Sequence, residues 1–300
     1  MGDWIISLEG TEAGTTLATI LALMAAFLHA VFGALQKGRH DPWISRAAID
    51  AWLFVLSAPI ALFLVPWPEP HLWPILGGAL LIHFSYKVLQ AQAYSKGAYT
   101  VVYPVVRGTG PLFTVFGAYL LFGEVFTPTQ WMGVAVLLSG IFGLAAYNMA
   151  FLVTDRATLG PALMLAVATG LFVALYTTYD AYGIRAASDP FTFLAWFFFI
   201  TAFDIPLLVA TRMRHRLQGV DLRALARRGL IGAIVAYFSF GSIMLATRLD
   251  KVGEAAILRE TSTVFAAVIG WVFLRETVGP RRLALMVLIA LGAVIVEMGG

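Results

Sequence analysis

The sequence predicts an all-α membrane protein, with ten transmembrane helices arranged as two inverted five-helix repeats. Three observations carry this. Of 300 residues, 60% are hydrophobic and 12% are charged, where a soluble domain carries roughly 25% charged residues. The apolar residues fall in runs near the length of about 20 residues that crosses a bilayer as a helix. The chain also matches itself at a shift of 152 positions. This composition excludes a disordered chain and most soluble enzymes. The absence of cysteine excludes a disulfide scaffold, thiolate metal sites and thiol catalysis. Barrel strands are excluded because the apolar runs are long and do not alternate with polar residues.

The predicted spans are residues 15–35, 47–66, 72–94, 99–122, 131–151, 161–179, 191–209, 229–247, 253–274 and 283–298. The breaks between them have chemical reasons. Pro66-Trp67-Pro68-Glu69-Pro70 cannot be helical, because proline lacks the backbone donor and clashes with the preceding turn. Glu124 to Thr129 reads as a turn followed by a helix start at Pro128. The longest polar stretch, residues 211–228, joins spans seven and eight. No Lys or Arg precedes the first span, so it does not read as a cleaved leader.

Charge sets the expected orientation. The odd-numbered loops hold fourteen basic residues: Lys37, Arg39, Arg46, Lys96, Arg156, Arg212, Arg214, Arg216, Arg223, Arg227, Arg228, Arg275, Arg281 and Arg282. The even-numbered loops hold three, Arg185, Arg248 and Lys251. Basic loops stay in the cytoplasm, which places both termini outside. The net charge of +3 is accounted for by this bias, and no nucleic-acid partner is expected.

The repeat is the most informative feature. At the shift of 152, Ser95-Lys96 falls on Thr247-Arg248, Arg107 on Arg259, Thr109 on Thr261, Glu124 on Glu276 and Pro128 on Pro280. The chain thus divides into residues 1–153 and 154–300, with five spans each. An odd number of crossings inverts the second half relative to the first. Inverted repeats place a substrate site at their interface near the bilayer midplane and permit alternating access.

Two five-helix halves, carrying Pro104-Val105-Val106, Pro111, Gly123-Glu124 and Pro128 in the first and Arg275-Glu276 and Pro280 in the second, resemble the EamA-type ten-helix members of the drug/metabolite transporter superfamily. The resemblance covers almost the whole chain. It implies a multi-pass protein of the cell membrane, the bacterial inner membrane, that exports amino acids, metabolites, sugars or drugs. It also implies cytoplasmic termini, opposite to the charge count. Leu28-His29-Ala30 with Gln36-Lys37 is similar, over that stretch alone, to membrane proteins associated with phosphonate utilisation.

Ionisable groups inside spans are costly and so mark candidate functional residues. In span four, Tyr99, Tyr103, Arg107, Gly110, Thr114 and Gly117 share one helix face. They read as an anion-binding wall centred on Arg107, or as an arginine that snorkels or pairs with a structural acid. Pro111 removes a backbone donor, so residues 108–111 are expected to break or kink the helix. Arg259, early in span nine, is expected to pair with Glu254 or Glu260, as a structural bridge or as a gate. His83, Lys87 and Gln90 share a face of span three, and His29, Gly33 and Gln36 a face of span one. Each triplet reads as cavity wall for a carboxylate or phosphonate, or as core. Tyr176 stands beside Asp180 at the end of span six, and Asp204 lies in span seven. Asp204, Asp180 and Glu260 are candidates for proton coupling or for counter-ions to Lys87 and Arg107. Asp50, near a helix start, is expected to serve the helix dipole. Small residues in spans five and ten, Gly133, Gly140 and Gly292 among them, suit close packing or a homodimer contact.

The substrate-binding candidates are therefore Arg107, Lys87, His83, Tyr103, Gln90, His29, Arg259 and Tyr176. Their partner is a small polar or anionic metabolite, such as an amino acid or organic acid, carried across the lipid bilayer. No metal and no cofactor are expected. No nucleotide-binding loop, His-Glu-x-x-His or Gly-x-Ser-x-Gly pattern occurs, so the chain reads as a secondary transporter, not as an enzyme. The alternatives are an intramembrane enzyme and a structural or signalling bundle.

Overall fold

A computed structural model describes residues 2–36, 41–97, 99–151, 159–272 and 279–300. Among the described residues the regular structure is all helical. A short helix, α1 (Asp3–Leu8), precedes the bundle. The spans follow as α2 (Glu12–Gln36), α3 (Pro42–Pro59) with a π turn at Ile60–Leu64, α4 (Leu72–Lys96), α5 (Tyr99–Phe122), α6 (Pro128–Phe151), α7 (Leu159–Ala186), α8 (Pro190–Thr201) with α9 (Asp204–Arg212), α10 (Leu222–Leu249), α11 (Val252–Arg259) with α12 (Ser262–Val272), and α13 (Pro280–Met298). Eight of these segments are long and apolar enough to cross a membrane, and α13 contributes a shorter apolar stretch, Leu283–Met298. Span nine is shared between α11 and α12.

Local chemistry sets the helix ends. Asp41, Asp189 and Asp221 cap α3, α8 and α10, each accepting a backbone N–H of the first turn. Proline occupies the start of α3, α8 and α13. Gly123, at φ +67°, ends α5. The amide of Glu124 there donates to the Ala118 carbonyl at 3.4 Å, as in a glycine-terminated helix.

The packing pairs obey the repeat. Span five (α6) packs on span ten (α13), and span two (α3) on span seven (α8–α9), pairs that the repeat maps onto themselves. Span one (α2) packs on span eight (α10), and span three (α4) on span six (α7), which the repeat exchanges. Spans four and six, and spans nine and one, form another exchanged pair. A Cβ on Gly133 would meet the Gly292 carbonyl at 2.8 Å, and one on Gly140 the Leu285 carbonyl at 2.7 Å. The small residues of α6 and α13 thus bring these two helices into backbone contact, away from the polar centre.

The breaks differ from expectation. Of the break or kink expected at residues 108–111 the break does not occur, since α5 runs unbroken through Pro111. Instead Gly110 and Gly117 let α5 approach α7, where added Cβ atoms would meet Val173 at 3.0 Å and Thr178 at 2.8 Å. The break falls at Glu260-Thr261, between α11 and α12, which is Gly108-Thr109 carried through the repeat. A second break at Ala202-Phe203 divides span seven, where one helix was expected.

Candidate functional site

Between the halves lies a buried polar centre in which nearly every charge has a partner. Lys87 of α4 is 3% exposed. Its Nζ reaches Asp50 of α3 at 2.9 Å and Asp204 of α9 at 2.8 Å. Asp50 also pairs with Arg46 at 2.9 Å. The four side chains make a neutral group, two cations and two carboxylates, which is the arrangement that lets charges survive away from water. Asp50 is fully buried, contrary to the dipole role expected of it. It sits two turns inside α3, and Asp41 does the capping. Of the two cations expected to take Asp204 as counter-ion, it is Lys87 that does so.

Arg107 of α5 is bound by protein on several sides. Its Nε meets Glu260 at 2.8 Å. Its Nη2 donates to Ser262 Oγ at 2.6 Å and to the Arg259 carbonyl at 3.2 Å. The ring of Tyr103 lies 5.9 Å from the guanidinium. Gly110 and Gly117, expected on an open wall with Arg107, are used in packing α5 on α7, Thr114 donates to the Gly110 carbonyl within α5, and the side chain of Tyr99 lies outside the described residues.

Both helix breaks are closed by cations from the first half. At Glu260-Thr261 the Thr263 amide turns to the Glu260 carbonyl, which frees the carbonyl of Arg259, and Arg107 takes it. At Ala202-Phe203 the Ile205 amide turns to its neighbour's carboxylate, Asp204 Oδ1, which frees the carbonyl of Thr201. Lys87 Nζ takes that one at 2.5 Å. Backbone freed inside a membrane needs such replacement partners.

Arg259 differs from the other buried cations. It is 5% exposed, yet no described carboxylate pairs with it, and its Nε has no partner. The two acids expected to pair with it are engaged elsewhere. Glu260 holds Arg107. Glu254 bonds Gln130 and Lys251, at 2.6 Å each. Arg259 lines a small cavity with Tyr176, Thr177, Asp180, Phe240, Met244 and Thr247. The cavity has room for about one water. On its wall Asp180 Oδ2 meets His83 Nε2 at 2.8 Å, while Asp180 Oδ1 is buried without a partner. Tyr176 stacks obliquely on His83 at 4.8 Å and edge-on with Tyr86 at 4.9 Å. Gln90 donates to the Tyr86 hydroxyl at 2.6 Å. His29 of α2 is within electrostatic reach of Arg107 and Arg259. The side chain of Gln36, and Lys37 and Glu276, lie outside the described residues.

The face formed by the even-numbered loops is laced shut by arginines exchanged between two helix ends. Arg185, at the end of α7, donates to the carbonyls of Thr247 at 2.8 Å and Asp250 at 2.7 Å, at the end of α10. Arg248, at the end of α10, donates to the carbonyls of Ile184 and Ala187, at the end of α7. Each cation thus sits on the other helix's negative dipole end. Arg248 also pairs with Glu9 at 2.6 Å. Glu124 accepts the amides of Val252 and Gly253 at 2.8 and 2.9 Å, at the start of α11. Partial burial disfavours the charge of Lys251, but its bond to Glu254 and the nearby Asp250 and Glu124 hold its pKa above the ordinary lysine value.

The profile of the EamA-like transporter family matches residues 16–146 and again residues 160–298. The chain belongs to the EamA-like transporter family. Members of this family are membrane transporters of the drug/metabolite type, not enzymes, and the eight apolar helices long enough to cross a membrane agree with a multi-pass protein. An uncharacterized protein of Sinorhizobium fredii, y4nH, is 31% identical over 77 residues, which are 26% of this EamA-like chain and 66% of that protein, just under two thirds of its length. A crystal structure of another protein shares the fold, with a TM-score of 0.74 at 17% identity over 96% of this chain and 98% of that one.

Proposed function

We propose that this EamA-like protein is a secondary transporter that exports a small metabolite bearing an anionic group, by alternating access of its two repeats about the polar centre. One observation carries the substrate class: on the wall of the central cavity the buried guanidinium of Arg259 forms no ion pair with a described carboxylate and leaves its Nε without a partner. A buried guanidinium with an unmade hydrogen bond is costly, and an anionic group entering the cavity supplies the missing acceptor. The guanidinium presents a planar fork suited to a carboxylate or phosphonate. Tyr176 and Phe240 beside it supply ring surface for the remainder of an amino acid or organic acid. The export direction rests on the family resemblance.

The test is solute counterflow in liposomes, using matched pairs of an acid and its neutral amide. Accumulation of acids and not of their amides is expected. Carriage of amides or neutral sugars in preference to acids contradicts the substrate class.

A further inference from the structure

The cavity wall carries two buried atoms without a hydrogen-bond partner among the described residues, on groups of opposite charge. Arg259 Nε has none, and Asp180 Oδ1 has none, although the other carboxylate oxygen of Asp180 is held by His83. Asp180 therefore stands between two cationic candidates, the histidine of α4 and the arginine of α11. We infer that His83, Asp180 and Arg259 form a proton-coupling switch, in which protonation of His83 commits Asp180 to the imidazolium and releases Arg259 to bind the substrate anion. This rests on the anionic-substrate reading above.

The charge count explains why the two events go together. The group of Lys87, Arg46, Asp50 and Asp204 is neutral, and so is the Arg107–Glu260 pair. With His83 neutral, Asp180 and Arg259 balance across the cavity. An anion added alone leaves the centre one negative charge in excess, and a proton added alone leaves it one positive charge in excess. One anion with one proton restores balance, and an unbalanced buried charge is the expensive state. With Nε2 donating to the Asp180 carboxylate, the imidazole nitrogen that takes up the proton is Nδ1. No bond to the substrate forms or breaks.

Histidine is the side chain suited to titrate in this range. The groups that face it are accounted for helix by helix. α7 presents Asp180 and Tyr176, with Tyr179 beside Asp180. α8 and α10 present Phe197 and Phe240, which are apolar. α11 presents Arg259, which acts on Asp180. α4 itself carries Tyr86 and Lys87, the latter tied to Asp50 of α3 and Asp204 of α9. On α5, Arg107 is neutralised by Glu260.

The test is an NMR titration of the histidines in the full-length protein in lipid nanodiscs. The sequence has five histidines, and His83→Gln assigns the resonance. Formate is the probe, being a monoanion throughout the range. Formate should raise the His83 midpoint by about one pH unit, a tenfold gain in proton affinity. Arg259→Gln should do the same without formate, because Asp180 then belongs to His83 alone. In an Asp180→Asn background the Arg259→Gln shift should fall below half. A full shift surviving in that background means direct repulsion between Arg259 and His83, and overturns the switch. So does a His83 midpoint that moves with neither formate nor Arg259→Gln. A midpoint that moves with Arg259→Gln but not with formate leaves the switch standing and contradicts the anionic-substrate reading instead. The formate arm uses the wild-type chain, so the test does not depend on a variant that fails to fold.

Discussion

At the scale of single residues, the polar centre sorts its cations by what already holds them. Arg107 is held by Glu260, Ser262 and a backbone carbonyl. Arg107→Ala leaves Glu260 buried alone, and breaking a buried pair costs about 3–5 kcal/mol. We expect a large fall in thermal stability that Arg107→Ala with Glu260→Ala together partly restores. Equal instability of the single and double variants contradicts a structural pair. Lys87 serves two carboxylates and a freed carbonyl, whereas Arg46 serves Asp50 from a partly exposed position. Lys87→Met should therefore destabilise more than Arg46→Met by roughly 2 kcal/mol, read as the difference in unfolding midpoints. A larger effect at Arg46 contradicts this assignment. Intramembrane charge made Lys87, Arg107, Arg259, Asp180 and Asp204 visible in the sequence, because each is expensive wherever it lies in a span. Their pairing was not visible, because it depends on helix azimuths that no local spacing encodes. Asp50 was missed for the same reason: near a helix start in sequence, it looks like a dipole partner until α4 is seen beside it.

At the scale of elements, the two broken helices organise the centre. The spans themselves were legible, since runs of about 20 apolar residues leave few alternatives. The breaks were not. The proline-bearing segment at Pro111 stays helical, because its glycines pack α5 onto α7. The break falls at Glu260-Thr261, where neither glycine nor proline stands, because the Arg107 side chain satisfies the freed carbonyl. The reciprocal contacts of Arg185 and Arg248 hold the ends of α7 and α10 together, and charged hydrogen bonds contribute about 1.5–3 kcal/mol each. Arg185→Ala with Arg248→Ala should shift the population toward a state open on that face. Because the chain has no cysteine, a single Met244→Cys reports access to the cavity without background. We expect its labelling by a charged thiol reagent to quicken about tenfold or more in the double variant, the factor for a shift of 1.4 kcal/mol. An unchanged rate contradicts a closing role for the two arginines.

At the scale of the whole molecule, the repeat read from matches such as Arg107 with Arg259 reappears as a set of exchanged helix pairs, which is how an inverted duplication must pack. It is also where the two halves part: both breaks lie in the second half, and both capping cations come from the first. The even-loop face carries three basic residues against fourteen on the odd loops, and this Lys/Arg bias draws the odd loops to the cytoplasm. Reporter fusions in residues 211–228 should therefore report the cytoplasm, and a periplasmic signal there reverses the orientation. The central claim is that the two repeats close around an anion held by Arg259. Its most direct measurement is the substrate-concentration dependence of counterflow in liposomes for the wild type, Arg259→Lys and Arg259→Ala, using an acid that the wild type carries. Loss of a charged hydrogen-bond partner from a buried site is worth about 1.5–3 kcal/mol, or roughly 10- to 150-fold in affinity. Arg259→Ala should lose affinity by that factor while remaining folded, and Arg259→Lys should fall between the two, keeping the charge without the fork. Wild-type affinity in a folded Arg259→Ala protein contradicts the account.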